Sequence, residues 1–257
     1  MRALILSDIH SNLEALQAVM ADARARGGFQ SVWCLGDTVG YGPDPDACLD
    51  LLRPSAEGLR PDASGLRGHD LRIVAGNHDH AAVGKMGVEE FNDAAAAAAR
   101  WTAGQLSPAH AAFLAGLPLV ITQAPFTLVH GSLRDPLWEY LISTEAALGT
   151  LKRLTTRFCL VGHSHIPFIC RENGGSPQFV EFTEDEVFSL GAERWIINPG
   201  SVGQPRDRDS RPSYAIYDSQ AGTVERHRVA YPIAKTQEKM RRAGLPLPLI
   251  QRLDHGV

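Results

Sequence analysis

Cysteine is scarce: Cys34, Cys48, Cys159 and Cys170 are the only four in 257 residues, and no pair has C-x-x-C spacing. That is too few for a disulfide scaffold, so the four are expected to be reduced thiols with no chemistry of their own. A basic excess is also missing. The formal net charge is -4 with 21% charged residues, which gives no electrostatic pull toward nucleic acid or anionic lipid. Long apolar runs are absent as well. No stretch approaches the about 20 apolar residues of a membrane span, and the N-terminal run meets Asp8 too early for the core of a signal peptide. The expected setting is cytoplasmic, with no membrane partner and nucleic acid disfavoured.

What the chain does have is a repeated local pattern, an apolar run that ends in polar, chemically capable residues. Leu71-Arg72-Ile73-Val74-Ala75 leads into Gly76-Asn77-His78-Asp79. Such a run reads as a buried strand delivering a loop at its C-terminal end, where open α/β sheets bind ligands. Asn can offer a carbonyl oxygen, and His can hold or release a proton near neutral pH. Ala3 to Leu6 delivers Ser7-Asp8-Ile9-His10, and Asp8 and His10 face one way if the backbone stays extended. Asn12 is a helix cap for Leu13, Leu16, Val19, Met20 and Ala23, with Gly27-Gly28 as the stop. Ser31 to Leu35 delivers Gly36-Asp37, followed by the turn Tyr41-Gly42-Pro43-Asp44-Pro45 and a short helix over Ala47–Leu52. Residues 54–70, rich in Gly and Pro, read as a loop.

Residues 82–116 differ in kind. The run Ala94–Ala99 predicts a helix from about Glu89 to Gln105, and Ser107-Pro108 opens a second. Their expected role is packing, with a lid over the site as the alternative. Strands follow at Leu119–Thr122 and at Phe126–Val129, the latter ending in His130-Gly131-Ser132. A helix is predicted over Thr144–Leu154, and Phe158–Val161 then delivers Gly162-His163-Ser164-His165. Phe179–Phe182, Arg194–Ile197 and Tyr214–Tyr217 are predicted strands, with Val224–Val229 as a hairpin partner of the last. Ile233–Arg242 is a basic helix, read as a solvated face, with a Pro-broken tail beyond it. This order argues for two packed sheets with helices outside. The expected organisation is one domain over residues 1–257, with a helical insertion at about 82–116 and a C-terminal helix and tail at about 233–257.

Of ten histidines, His10, His78, His130, His163 and His165 directly follow strand-like runs, whereas His69, His80, His110, His227 and His255 read as structural or exposed. Asp8-Ile9-His10, Gly36-Asp37, Gly76-Asn77-His78-Asp79, His130-Gly131 and Gly162-His163-Ser164-His165 together resemble, in order, the five blocks of the calcineurin-like metallophosphoesterase family. Asn198-Pro199-Gly200-Ser201 resembles a late motif of its small bacterial and archaeal phosphodiesterase branch. The resemblance implies an α/β fold, a four-layer α/β-β/α sandwich of two mixed sheets with outer helices. It also implies two divalent metals, one held by Asp8, His10, Asp37 and His165, the other by Asp37, Asn77, His130 and His163, with Asp37 as the bridge. Nitrogen and oxygen ligands suit manganese, the expected metal, with iron, zinc, cobalt or nickel as alternatives.

The implied chemistry is attack on phosphorus by a metal-bound hydroxide, with His78 free to protonate the leaving oxygen and Asp79 to orient its ring. The expected function is hydrolysis of a small phosphate-ester substrate, a phosphodiester or nucleotide. A phosphomonoesterase, a dinucleoside polyphosphate hydrolase and a non-catalytic protein-binding scaffold are the rivals. Homo-oligomerisation stays open. Arg206, Arg208, Arg211 and Tyr41 are weaker candidates for substrate contact, since arginines beside Asp207 and Asp209 are commonly solvated pairs.

Overall fold

The run Ala3–Leu6 is apolar at every position because both of its faces are covered. In the computed structural model, which describes residues 1–53 and 70–257, β1 (Arg2–Leu6) turns Ala3 and Ile5 to one apolar layer and Leu4 and Leu6 to another. Strands buried on both sides read as continuous rather than alternating apolar runs.

The elements follow in chain order. Asn12 caps α1 (Leu13–Ala25), its Oδ1 accepting from the Ala15 backbone N–H at 3.2 Å, and Leu16, Val19, Met20 and Ala23 are the buried stripe that their spacing predicts. Next come β2 (Ser31–Cys34), α2 (Pro45–Leu52) and β3 (Asp70–Ile73). Three helices then stand together: α3 (Asn77–Ala82), α4 (Asp93–Gln105) and α5 (Pro108–Ala115). The second half holds β4 (Val120–Gln123), β5 (Phe126–Val129), α6 (Thr144–Arg153), β6 (Phe158–Leu160), β7 (Phe168–Asn173) and β8 (Ser176–Val180). After these lie β9 (Val187–Ser189), β10 (Trp195–Asn198), β11 (Ser213–Asp218) and β12 (Thr223–Arg228). The chain closes with α7 (Ile233–Arg242), α8 (Leu247–Gln251) and a 3-10 turn over Arg252–Asp254.

Two mixed six-stranded sheets result, in the orders β3-β2-β1-β11-β12-β9 and β4-β5-β6-β10-β7-β8. In the first, β1, β2 and β3 are parallel and β11 runs against β1. In the second, β5, β6 and β10 are parallel, flanked by antiparallel β4 and β7. Between the sheets lies a layer of Ile5, Trp33, Phe126, Leu128, Leu160, Ile197 and Ala215. The outer face of the first sheet packs Leu4, Leu6 and Val32 under Leu16, Val19 and Met20 of α1. The outer face of the second packs Val129, Val161 and Ile196 under Ala147 and Leu151 of α6. The order is therefore helix, sheet, sheet, helix, as the α/β sandwich reading implies.

Several boundaries move for local reasons. Asn92 Oδ1 accepts from the Ala95 backbone N–H at 2.9 Å, so α4 starts at Asp93 rather than Glu89. The segment from Asn77, read as a loop, is the first turn of α3. Strand β7 was not foreseen, because its outer half, Arg171-Glu172-Asn173, is polar; it is held by pairing with β10 and β8. The alanines of α4 allow close approach: Ala95 and Ala98 pack with Tyr41 and with Met240, Leu249 and Leu253 of the C-terminal elements.

Helix α7 is not merely a solvated face. Lys239 bonds both Glu14 and Asp44 at 2.8 Å, and Lys235 bonds Glu14 at 3.1 Å, tying α7 to a buried carboxylate on α1. All four cysteines are free and buried, and burial pushes the Cys34 and Cys159 thiols up to about 12. The loop expected over residues 54–70 lies outside the described residues, as does His69, except that Asp70 opens β3. No helix among the described residues is long and apolar enough to cross a membrane.

Candidate metal centre

Five strands hand their following loops to one place. Beyond β1 stand Asp8 and His10, beyond β2 Asp37, beyond β3 Asn77 and His78, beyond β5 His130, and beyond β6 His163 and His165. The loops are laced by backbone bonds: Asp8 N–H to Gly36 O at 3.1 Å, His10 N–H to Asp37 O at 3.0 Å, Gly162 N–H to His130 O at 2.8 Å and Gly203 N–H to Asp8 O at 2.9 Å.

Asp8 and His10 do not reach this place through extended backbone. Their φ values are 52° and 49°, and Asp37, His163 and His165 are also left-handed at 51°, 63° and 59°. Each such residue stores on the order of 1–3 kcal/mol of strain, tolerated where the surroundings over-determine the conformation and concentrated at functional sites. The kinked backbone turns both Asp8 and His10 inward, where an extended strand would let the chain run past.

All these side chains are buried, and their polar atoms gather in linked groups. Asp8, His10 and His165 form one, Asp37, His130 and His163 another, and His10, Asp37 and His78 a third, with each group's candidate ligand atoms within 4.8 Å of one another. Asp37 Oδ2 lies 3.3 Å from His130 Nε2 and 3.7 Å from His10 Nε2. Asp8 Oδ1 is 3.4 Å from His165 Nε2. Asn77 Oδ1 is 3.1 Å from His130 Nε2.

The ring tautomers carry the chemistry. His10 Nδ1 faces Val39 O at 3.2 Å and His165 Nδ1 faces Gln204 O at 2.5 Å. A carbonyl oxygen only accepts, so both rings carry their proton on Nδ1. Their Nε2 lone pairs then face each other at 3.1 Å. The same holds in the other group: His130 Nδ1 donates to Leu35 O at 2.8 Å, His163 Nε2 donates to Trp138 O at 3.2 Å, and the remaining nitrogens meet at 3.1 Å. Ring nitrogens that meet in two places, each beside a carboxylate, are an arrangement that a cation between them, or a proton in its stead, satisfies. Backbone carbonyls fixing the distal ring nitrogen are how metal-binding histidines are commonly oriented.

The titration behaviour agrees. Burial raises Asp8 to about 7, with the like charge of Asp37 adding to it. Asp37 is held well below the usual carboxylate range, since the charge and hydrogen bond of His130 overcome the upward push of burial. His130 is raised to about 9: burial opposes the charge, but the Asp37 carboxylate wins. A proton on His130 is thus the metal-free counterpart of a cation beside Asp37. Burial lowers His163 to about 3 and His10 and His165 well below the ordinary imidazole value, which keeps those rings neutral and their lone pairs free.

His78 occupies a different position. Its backbone N–H donates to Asp37 Oδ1 at 2.9 Å, its ring meets Tyr41 and Phe91 at centroid distances of 4.3 and 4.7 Å, and its Nδ1 has no partner among the described residues. Asp79 does not orient that ring. Its carboxylate instead accepts the backbone N–H of Gly76 at 3.0 Å, a helix-start donor without a partner in the helix, and that of Val39 in the loop after β2 at 3.1 Å. The Asn198–Ser201 turn braces the ligand loops: Asn198 Nδ2 donates to Gly162 O at 2.8 Å and Ser201 Oγ to Asp8 O at 2.8 Å.

Of the weaker candidates, Tyr41 and Arg206 line the cleft above the cluster, while Arg211 is paired with Glu184 and Asp209. His110 sits between Asp46 and Asp50, and His227 bonds Asp185, both away from the site. Gln204, Trp138 and Tyr140 were missed. The first two act through backbone carbonyls, which leave no residue-type signal, and Tyr140 stacks on His163 at 4.1 Å from a loop without a motif.

The sequence profile of the calcineurin-like phosphoesterase superfamily domain matches residues 1–222. The chain belongs to the calcineurin-like phosphoesterase superfamily. A crystal structure of a metallophosphoesterase from Sphaerobacter thermophilus is 42% identical, with a TM-score of 0.84 over 100% of this chain and 99% of that one. An uncharacterised protein of Methanocaldococcus jannaschii is 37% identical over 263 residues, spanning 98% of this chain and 97% of its own length. A hypothetical protein from Pyrococcus horikoshii, 18% identical, shares the fold at a TM-score of 0.76, over 100% of this chain and 98% of that one. As a calcineurin-like phosphoesterase the chain is a metal-dependent hydrolase of phosphate esters, and the clustered carboxylates and imidazoles are the residues available to hold metal.

Proposed function

We propose that this phosphoesterase hydrolyses phosphodiesters with two divalent cations, manganese being the expected pair. One is held by Asp8, His10, Asp37 and His165 and the other by Asp37, Asn77, His130 and His163. The observation that carries the reading is the meeting of carbonyl-anchored ring nitrogens at 3.1 Å in two places, one on each side of Asp37. When bound, the cations supply Lewis acidity toward water and toward the phosphate oxygens. The chain supplies the rest. Asp37 stays ionised between the two groups, the four carbonyl-anchored rings turn their remaining nitrogens inward beside it, and the buried setting strengthens each electrostatic contact.

His78 is assigned to the phosphate or the leaving oxygen. Burial lowers it to about 4, so the ring is neutral at pH 7 and acts first as a hydrogen-bond donor. A bound phosphate anion is the neighbour that raises it toward the acid range. His78→Gln is expected to retain both metals by elemental analysis and to lose about 10²–10⁴ in kcat, the usual worth of general acid help. A metal-free variant would transfer His78 to the ligand set.

The direct test compares bis-p-nitrophenyl phosphate with p-nitrophenyl phosphate on metal-stripped protein, before and after manganese is restored. Diester turnover that returns with manganese is expected. Preference for the monoester would replace the phosphodiesterase reading with a phosphomonoesterase.

A further inference from the structure

The cleft above the metal cluster is walled by aromatic rings that the candidate ligand set does not use. Tyr41, Phe91, Trp138 and Tyr140 line it together with His78 and His163. Phe91 comes from the connection between α3 and α4, and Trp138 and Tyr140 come from the loop between β5 and α6. The two walls meet where the Phe91 and Trp138 rings stand edge to face, at a centroid distance of 5.1 Å. Phe91 also lies edge-on to His78 at 4.7 Å, and Tyr140 stacks on His163 at 4.1 Å. Yet these three rings are not fully buried: Phe91 and Trp138 are half-buried, and Tyr140 is 46% exposed. Large rings left open in a polar cleft forgo part of the burial that stabilises aromatics in a core. Ligand sites are commonly walled by such rings, with a few polar groups among them.

The Trp138 side of the wall is preset. The Trp138 N–H donates to Asp135 Oδ1 at 3.1 Å and its carbonyl accepts from His163 Nε2 at 3.2 Å. Glu139, between the two aromatic residues, accepts from Ser132 Oγ and from Arg134 Nε, the latter at 2.8 Å. On the other side the Phe91 N–H donates to Val88 O at 3.1 Å, and Asn92, the next residue, caps α4. Among the lining residues outside the metal cluster, Glu90 and Arg206 are the charged ones and have opposite signs. Rings rather than net charge therefore set what this wall attracts. His78 is assigned to the phosphate or the leaving oxygen, and Phe91 is the ring against it, so a group esterified to that oxygen lies along Phe91 and Trp138.

We propose that Phe91, Trp138 and Tyr140 form a subsite for a planar aromatic ring carried by the substrate, a nucleobase or an aryl group, so that the site takes phosphate compounds bearing such a ring in preference to those with alkyl or sugar groups alone. This rests on the phosphoesterase reading of the cluster and names the substrate class within it.

Two probe pairs test it, AMP against ribose 5-phosphate and phenylphosphonate against ethylphosphonate. Equilibrium dialysis with protein in excess manganese, intact ligand being quantified by chromatography, is expected to show AMP bound on the order of tenfold more tightly than ribose 5-phosphate, the scale of one base stacked on aromatic side chains. A preference in the AMP pair alone assigns the ring to a nucleobase, and a preference in both pairs extends it to aryl groups. In Phe91→Leu, which keeps an apolar side chain without a ring, the AMP ratio is expected to fall at least threefold, and in Phe91→Tyr to persist. Trp138→Leu is expected to act as Phe91→Leu does. No preference in either pair in the wild type would overturn the proposal. So would equal weakening of AMP and ribose 5-phosphate in Phe91→Leu, since Phe91 would then only prop His78. Phosphocholine bound more tightly than AMP would overturn it as well, by giving the rings to an ammonium group. Binding is measured without turnover: an AMP-selective protein that fails the diester assay would defeat the phosphodiesterase reading alone, and an active one without ring preference would defeat this proposal alone.

Discussion

Asp37→Asn is expected to remove turnover of bis-p-nitrophenyl phosphate by more than the about 10²–10³ that one lost electrostatic contact takes from kcat. The reason is that Asp37 serves both groups at once: its Oδ2 lies 3.3 Å from His130 Nε2 and 3.7 Å from His10 Nε2. An amide presents one neutral oxygen and one N–H₂, and cannot offer a shared anionic oxygen to two cations. Folding is expected to survive. The Asn carbonyl can still accept the His78 backbone N–H, now received by Asp37 Oδ1 at 2.9 Å, and a neutral side chain is easier to bury than an ion. Elemental analysis after dialysis is expected to give less metal per chain than the wild type, with a melting curve that remains cooperative. Wild-type turnover in this variant would remove Asp37 from the centre of the chemistry.

The polar ends of the strands were legible because a short apolar run followed by Asp, His or Asn is an unusual use of a loop, and five such ends pointed to one site. Parallel strands deliver their C-terminal loops to a common edge, so sequence order alone could bring Asp8 near His165 across 157 positions of chain. The manner of arrival was not legible. Nothing in Asp8-Ile9-His10 announces a left-handed backbone, because that strain is imposed by the Gly36, Asp37 and Gly203 backbone groups bonded to it. The carbonyls of Leu35, Val39, Trp138 and Gln204 decide four ring tautomers, yet any residue type can supply a carbonyl.

Asp79 shows the same limit from the other side. Its neighbour His78 suggested a carboxylate–imidazole pair, whereas tertiary geometry gave it the free N–H groups of Val39 and Gly76. Among the arginines, Arg206 could not be told from Arg211, because Asp207 and Asp209 stand beside both in sequence and the further partner of Arg211, Glu184, is 27 residues away. The lack of a basic excess and of long apolar runs, by contrast, is a property of the whole chain and is read without geometry.

Gly76→Ala tests whether close backbone approach, rather than any ligand, holds the centre together. A Cβ at Gly76 would stand 2.0 Å from Asp37 Oδ1 and 2.4 Å from Asp37 N, both fixed atoms in the loop after β2. The backbone there, at φ -101°, is open to any residue, so the demand for glycine is purely steric. Relief requires the β2 and β3 loops to separate, and that moves Asp37 away from His130 while Asn77 and His78 move with the other loop. Overpacking of this kind typically takes about 1–3 kcal/mol from stability, and a displacement near 1 Å can cost about 10²-fold in rate. Gly76→Ala is therefore expected to lower the denaturation midpoint and to lose at least that factor in kcat, although every candidate ligand is still present. Gly104→Ala is the control: it lies within α4, its Cβ meets nothing within 4 Å, and it is expected to gain roughly 0.5–1 kcal/mol from reduced unfolded-chain freedom. If Gly76→Ala retained wild-type kcat, the contact between these two loops would not be what places Asp37, and the ring and carboxylate network around it would have to hold the geometry by itself.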